Sequence, residues 1–157
     1  MSNSDVGFHF HRSNTIGSRI VRWWTGTRYS HVSVEVKGRF YHATWSGGIY
    51  AEDFPDEDIS VSERLPLSES ESDDLFTLLE GELGKEYDKP SIIGQILKLE
   101  IGSNKRWYCS EMALRALSLI YPYPRHNRRF VNPYEVYLSI RSYKLGLEKG
   151  RSLLMNR

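Results

Sequence analysis

Three side chains in this sequence are of the types that nucleophilic chemistry needs: Cys109, His31 and His42. Cys109 is the only cysteine, and it lies in Arg106-Trp107-Tyr108-Cys109-Ser110-Glu111-Met112, where an apolar-periodic helix begins. A thiol at a helix start feels the positive end of the helix dipole, which favours the nucleophilic thiolate. The same position also suits a cysteine that is simply a small buried hydrophobe. A base elsewhere in the chain has to decide between the two.

Attack by sulfur requires a general base within hydrogen-bond reach and a third polar group to orient that base. His31 opens the strongest strand pattern, Ser30-His31-Val32-Ser33-Val34-Glu35-Val36, on the polar phase opposite the three valines. Glu35 shares its face but lies roughly 13 Å along the strand, too far to orient the ring. His42 is better placed. If the chain turns at Gly38, positions 31 and 42 come close to being cross-strand neighbours. The expected site is Cys109 as nucleophile, His31 as base and His42 as the orienting group. Free N–H groups at the helix start, beside Tyr108 and Ser110, offer an oxyanion hole.

Other candidates carry weaker signals. His9 and His11 share one strand face and could hold a metal with Cys109 or His31, but their spacing fits no standard zinc pattern. No metal or other cofactor is called for. The loop Arg125-His126-Asn127-Arg128-Arg129 could grip a phosphate or carboxylate, although a solvated basic loop is the simpler reading. Trp23, Trp24 and Trp45 could line a substrate groove or a lipid-facing rim, with at least two of them expected in the core.

These residues must be positioned by a single domain of 157 residues, long enough to bury a core without staples. The composition, 39% hydrophobic and 26% charged, is that of a globular protein. Net charge is +1, so no global field points to nucleic acid. One cysteine excludes an internal disulfide framework. No secretory signal or membrane-length apolar run is legible, so a soluble cytoplasmic or virion-associated protein is expected.

Residues 6–10 read as a short strand. Residues 13–24 read as a helix capped by Ser13 or Asn14, with Ile16, Ile20, Val21 and Trp24 at helical spacing. Strands follow at 30–36, 40–45, 49–52 and 59–65. Ser68 and Glu71 make a capping box for a helix carrying Leu75, Phe76, Leu79 and Leu83, with Gly84 placed to end it. Residues 91–100 predict a second short helix. The cysteine helix presents Met112, Ala113, Ala116, Leu117 and Ile120 to a core and stops at Tyr121-Pro122-Tyr123-Pro124. Asn132 and Pro133 start another short helix, and residues from about 145 to 157 read as a weakly ordered tail.

Four segments occur in an order that resembles a known family. Tyr29-Ser30-His31-Val32-Ser33-Val34, Tyr41-His42-Ala43 with Gly48-Ile49, Leu83-Gly84-Lys85-Glu86-Tyr87-Asp88 and Tyr108-Cys109-Ser110-Glu111 resemble the circularly permuted branch of the NlpC-type papain-like hydrolases. The YiiX-like proteins are nearest, and the lecithin:retinol acyltransferase-like proteins are more distant. The resemblance spans about residues 5–120. It implies an α+β, permuted papain-like fold, with a small antiparallel sheet packed against the cysteine-bearing helix. It also implies a cysteine hydrolase working through an acyl-enzyme, with Cys109 as nucleophile, His31 as base and His42 where YiiX-like members often carry Glu. Tyr87 matches a tyrosine near the cleft, as an oxyanion or substrate contact. The superfamily implies a peptidoglycan peptide as substrate, and the permuted branch implies a lipid or acyl-amide alternative. Such relatives commonly carry export signals or lipid anchors. Their absence here suggests a phage-encoded protein with virion or cell-envelope assembly partners. A non-catalytic module retaining the fold is the rival reading.

Overall fold

A computed structural model describes residues 5–44, 46–55, 58–86, 108–121 and 131–155, without the side chains of Trp24 and of residues 148–155. Five strands form one antiparallel sheet: β1 (Asp5–His11), β2 (His31–Val36), β3 (Arg39–Thr44), β4 (Gly48–Glu52) and β5 (Ile59–Pro66), in the order β4-β3-β2-β1-β5. Among the described residues four helices accompany them: α1 (Ile16–Thr25), α2 (Glu69–Glu80), α3 (Cys109–Ile120) and α4 (Pro133–Met155). The architecture is α+β. Among the described residues no helix is long and apolar enough to cross a membrane.

Alternation along the strands sorts the side chains. Phe8, Phe10, Val32, Val34, Val36, Tyr41, Ala43 and Leu65 join the buried core with Met112, Ala113, Ala116 and Leu117 of α3 and Val136 and Ile140 of α4. Apolar burial at ~25 cal/mol per Å² makes this cluster the main source of stability. The opposite face is polar yet also largely buried, and carries His9, His11, Ser33 and His42.

The β2–β3 hairpin turns at Lys37 and Gly38, both at positive φ (51° and 78°). Such a turn suits the right-handed twist of the strands it joins. Its register pairs Val34 with Tyr41, which continued along the ladder sets His42 opposite Ser33, two residues from His31 on the same face. The β1–β5 register shifts between Phe10 and His11. One extra residue in β5 there brings Asp58 round to the His11 ring, as bulges commonly re-aim a side chain.

Several boundaries differ from those the pattern predicts. α1 begins at Ile16, capped by Thr15 rather than by Ser13 or Asn14, because the Thr15 hydroxyl accepts from the Ser18 N–H. The capping box of Ser68 and Glu71 is present, but α2 closes at Gly81. Gly84 (φ 79°) lies in the next turn, where its N–H donates to the Ile49 carbonyl at 2.9 Å. Asn132 caps α4 by accepting from Tyr134 and Glu135 N–H groups, each at 3.0 Å. Where a short helix and a tail from 145 were expected, α4 continues to Met155. Its first half is anchored by the rings of Tyr137 against Phe10 and Tyr29 (centroids 5.4 and 5.5 Å) and by Lys144 on Glu63 at 2.6 Å. The helix predicted at 91–100 and the basic loop at 125–129 lie outside the described residues.

Candidate active site

A cavity of about 540 Å³ takes in Cys109, Tyr108, Ser110, His31 and His42, together with His11, Asp58 and residues of α1 and of the α4 start. The expected nucleophile, base and orienting group thus open to one space. Tyr87 lies outside the described residues.

Cys109 is the first residue of α3, and its N-cap Tyr108 makes no side-chain cap hydrogen bond. The helix packs on the valine face of β2 and β3. The thiol therefore reaches the sheet from one face while the histidines stand on the other. His31, the first residue of its strand, and His42, inside β3, both line the cavity with Cys109.

The thiol is not poised as a thiolate. Burial pushes its pKa up, and this outweighs the opposing pull of the backbone N–H groups of Val32, Ser110 and Cys109 and of the Ser110 hydroxyl, 3.9 Å from the sulfur. The helix-dipole expectation gave the right direction for those N–H groups but not the winner. A charge transferred from water to an apolar surround costs more than a few partial charges return.

His31 Nε2 and His42 Nδ1 are 3.3 Å apart, with ring centroids at 5.6 Å and planes only 11° apart. The difference, 2.3 Å, is about twice the centre-to-nitrogen distance of an imidazole, so the rings lie end to end and nearly coplanar. That is the geometry of an N–H···N hydrogen bond. When His31 Nε2–H donates, its Nδ1 carries the lone pair a base needs. The His31 pKa is held well below its ordinary 6.5, first by burial and then by the neighbouring His11 and His42 rings. At neutral pH the site holds a neutral imidazole and a neutral thiol.

His11 was legible only as half of a His9/His11 pair, and the structure separates the two. His9 donates to Glu35 through Nε2 (2.9 Å) and bonds Ser62 through Nδ1 (2.8 Å). Arg64 also bonds Glu35, so that carboxylate serves β1 and β5 rather than His31. His11 joins the site instead, its ring 5.0 Å from His31 and 6.0 Å from His42. Its Nδ1–H donates to Asp58 at 2.8 Å, and its Nε2 accepts from Ser33 at 2.8 Å. Asp58 falls in an acidic, irregular stretch whose pattern gave no cue to this role.

No protein-family model, curated protein or solved structure matches the chain.

One ligand atom from each of His11, His31 and His42 lies within 4.8 Å of the others, so these three could hold a transition metal if the rings turned. In the observed arrangement His31 and His42 point at each other, and both nitrogens of His11 are engaged.

Proposed function

We propose that the protein is a cysteine-dependent hydrolase or acyl-transfer enzyme with a permuted papain-like fold of the NlpC type. The observation that carries this reading is the end-to-end His31–His42 hydrogen bond in a cavity that also opens on Cys109. As sulfur attacks the substrate carbonyl, the thiol proton passes to His31 Nδ1, and His42 accepts from Nε2–H throughout. Backbone N–H groups at the start of α3 receive the oxyanion. Collapse of the tetrahedral adduct expels the leaving group with the proton from His31 and leaves a Cys109 thioester. Water, deprotonated by His31, then releases the acid and restores the thiol. Because both partners rest neutral, proton transfer accompanies attack rather than preceding it.

Ile20, Val21, Ala43 and Val131 on the cavity walls favour an acyl chain in an ester or amide. The resemblance to NlpC-type hydrolases supports a peptidoglycan peptide amide instead. Parallel incubation with acyl-phospholipids and with purified peptidoglycan, followed by mass spectrometry of released products, separates the two. Cys109→Ala is expected to abolish turnover while leaving the circular dichroism spectrum unchanged. Turnover that survives this substitution removes the mechanism. The elevated thiol pKa is the observation that favours the rival, a binding module without catalysis. A thioester adduct on Cys109, trapped by acid quench, would exclude it.

A further inference from the structure

α1 is mounted against the usual orientation. Its polar arc, Ser18, Arg22 and Thr25, is half-buried against the protein, and Arg22 donates to the Ser13 carbonyl. Its apolar residues face outward: Ile16 is 78% exposed, Ile20 57% and Trp23 81%. An amphipathic helix normally turns that stripe inward. Large exposed apolar groups gathered on one element mark a contact surface.

Charge identifies what the surface meets. From Val6 to Val34 the sequence holds no Asp or Glu, whereas Arg12, Arg19, Arg22 and Arg28 flank or lie on the helix. This stretch is therefore net +4; residues 101–157 are cationic too, with 11 basic and 3 acidic residues, and the acidic excess lies in residues 35–100. Arg12, Arg19 and Arg28 are exposed. An outward Ile/Trp stripe bordered by arginine, with no acidic residue on the helix or in the sequence flanking it and Asp58 turned to His11 in the cavity, is the pattern of a helix that lies in the headgroup layer of an anionic bilayer. A second copy of the same surface would instead bring like charges together.

We propose that α1 docks this protein on an anionic lipid surface and sets the cavity opening against it. Ile20 belongs both to the outward stripe and to the cavity lining, and Val21 beside it also lines the cavity. A docked molecule therefore presents its cavity to acyl chains at the interface. The docking does not rest on the hydrolase reading, and vesicle binding and turnover can fail separately.

The test is co-sedimentation of the full chain with sucrose-loaded vesicles of phosphatidylcholine alone and of phosphatidylcholine with phosphatidylserine. Binding is expected to the anionic vesicles, to weaken as salt rises, and to be much weaker with phosphatidylcholine alone. The double variant Ile16→Ser/Trp23→Ser should lose binding at least tenfold with an unchanged thermal melt, because both side chains are exposed and neither lines the cavity. Arg19→Gln should weaken it roughly fivefold at low salt. Three outcomes overturn the proposal: no pelleting with anionic vesicles, equal binding to both compositions, or binding unaffected by the double variant. A salt-stable dimer in size exclusion that Trp23→Ser dissociates, with no vesicle binding, assigns the surface to a second copy and also overturns it.

Discussion

Alkylation of Cys109 across pH distinguishes a resting ion pair from a resting neutral pair without any knowledge of the substrate. A thiol at its ordinary pKa of 9.0 is ~1% thiolate at pH 7. Burial raises Cys109 above that value, so its thiolate share at pH 7 falls below ~1% and the rate with iodoacetamide is under a hundredth of its alkaline plateau. His31, held below its ordinary 6.5, adds no imidazolium to stabilise the thiolate. The expected profile rises about tenfold per pH unit from roughly pH 6 to 9, with no shoulder on the acid side. Stopped mass-spectrometric quantification of the carbamidomethylated peptide under pseudo-first-order conditions measures it. His31→Gln should leave the shape of the profile unchanged while abolishing turnover. A flat rate between about pH 5 and 7 that disappears in His31→Gln would refute the neutral-pair reasoning, because only a preformed thiolate–imidazolium pair produces that plateau.

The remaining predictions concern the supporting structure. His42→Phe keeps a planar ring but removes the acceptor for His31 Nε2–H. A buried donor left unpaired costs about 1–3 kcal/mol, so kcat is expected to fall between about fivefold and a hundredfold with KM little changed, and a loss under twofold would argue against an orienting role. Neutral burial of His31 contributes stability that is fully present above its ordinary pKa of 6.5 and is lost as pH falls below it towards the depressed folded value. Urea midpoints should therefore decline from pH 7 to 5, and the decline should be smaller in His31→Gln. Gly48 has φ 67°, and a Cβ there would stand 2.5 Å from the Lys85 carbonyl oxygen. Gly48→Ala should destabilise by at least about 1–3 kcal/mol in chemical denaturation, whereas Gly26→Ala, with nothing within 4 Å, should cost less.

The strand content was legible because both faces of this sheet follow strict alternation: Val32, Val34 and Val36 against His31, Ser33 and Glu35. The same rule brought His31 and His42 to one face, and the Lys37-Gly38 turn set the register between them. α1 was legible as a helix but not in orientation. Periodicity reveals a stripe, not which way it turns, so the exposure of Ile16 and Trp23 had no sequence signal beyond the run of arginines without acid. α4 was underestimated because its second half has no apolar stripe to read, while Lys144 at its midpoint bonds Glu63, 81 positions away. His11 and Asp58 were missed as a pair for a similar reason. Their contact depends on an irregularity between β1 and β5, and no propensity foretells a bulge.

Side-chain phase alone does not bring His31 to the cavity. Ser33 lies two residues further along β2 on the same face, yet it is buried and occupied by His11. His31 escapes this by standing at the first position of its strand, where the sheet ends and the cavity begins. Cys109 obeys the same rule from the other side, as the first residue of its helix. His31 and Cys109 are thus each terminal in their elements, and both line the same cavity. On the proposed mechanism, extending β2 by two residues at its start is expected to bury His31 as Ser33 is buried and to lower turnover without altering either residue.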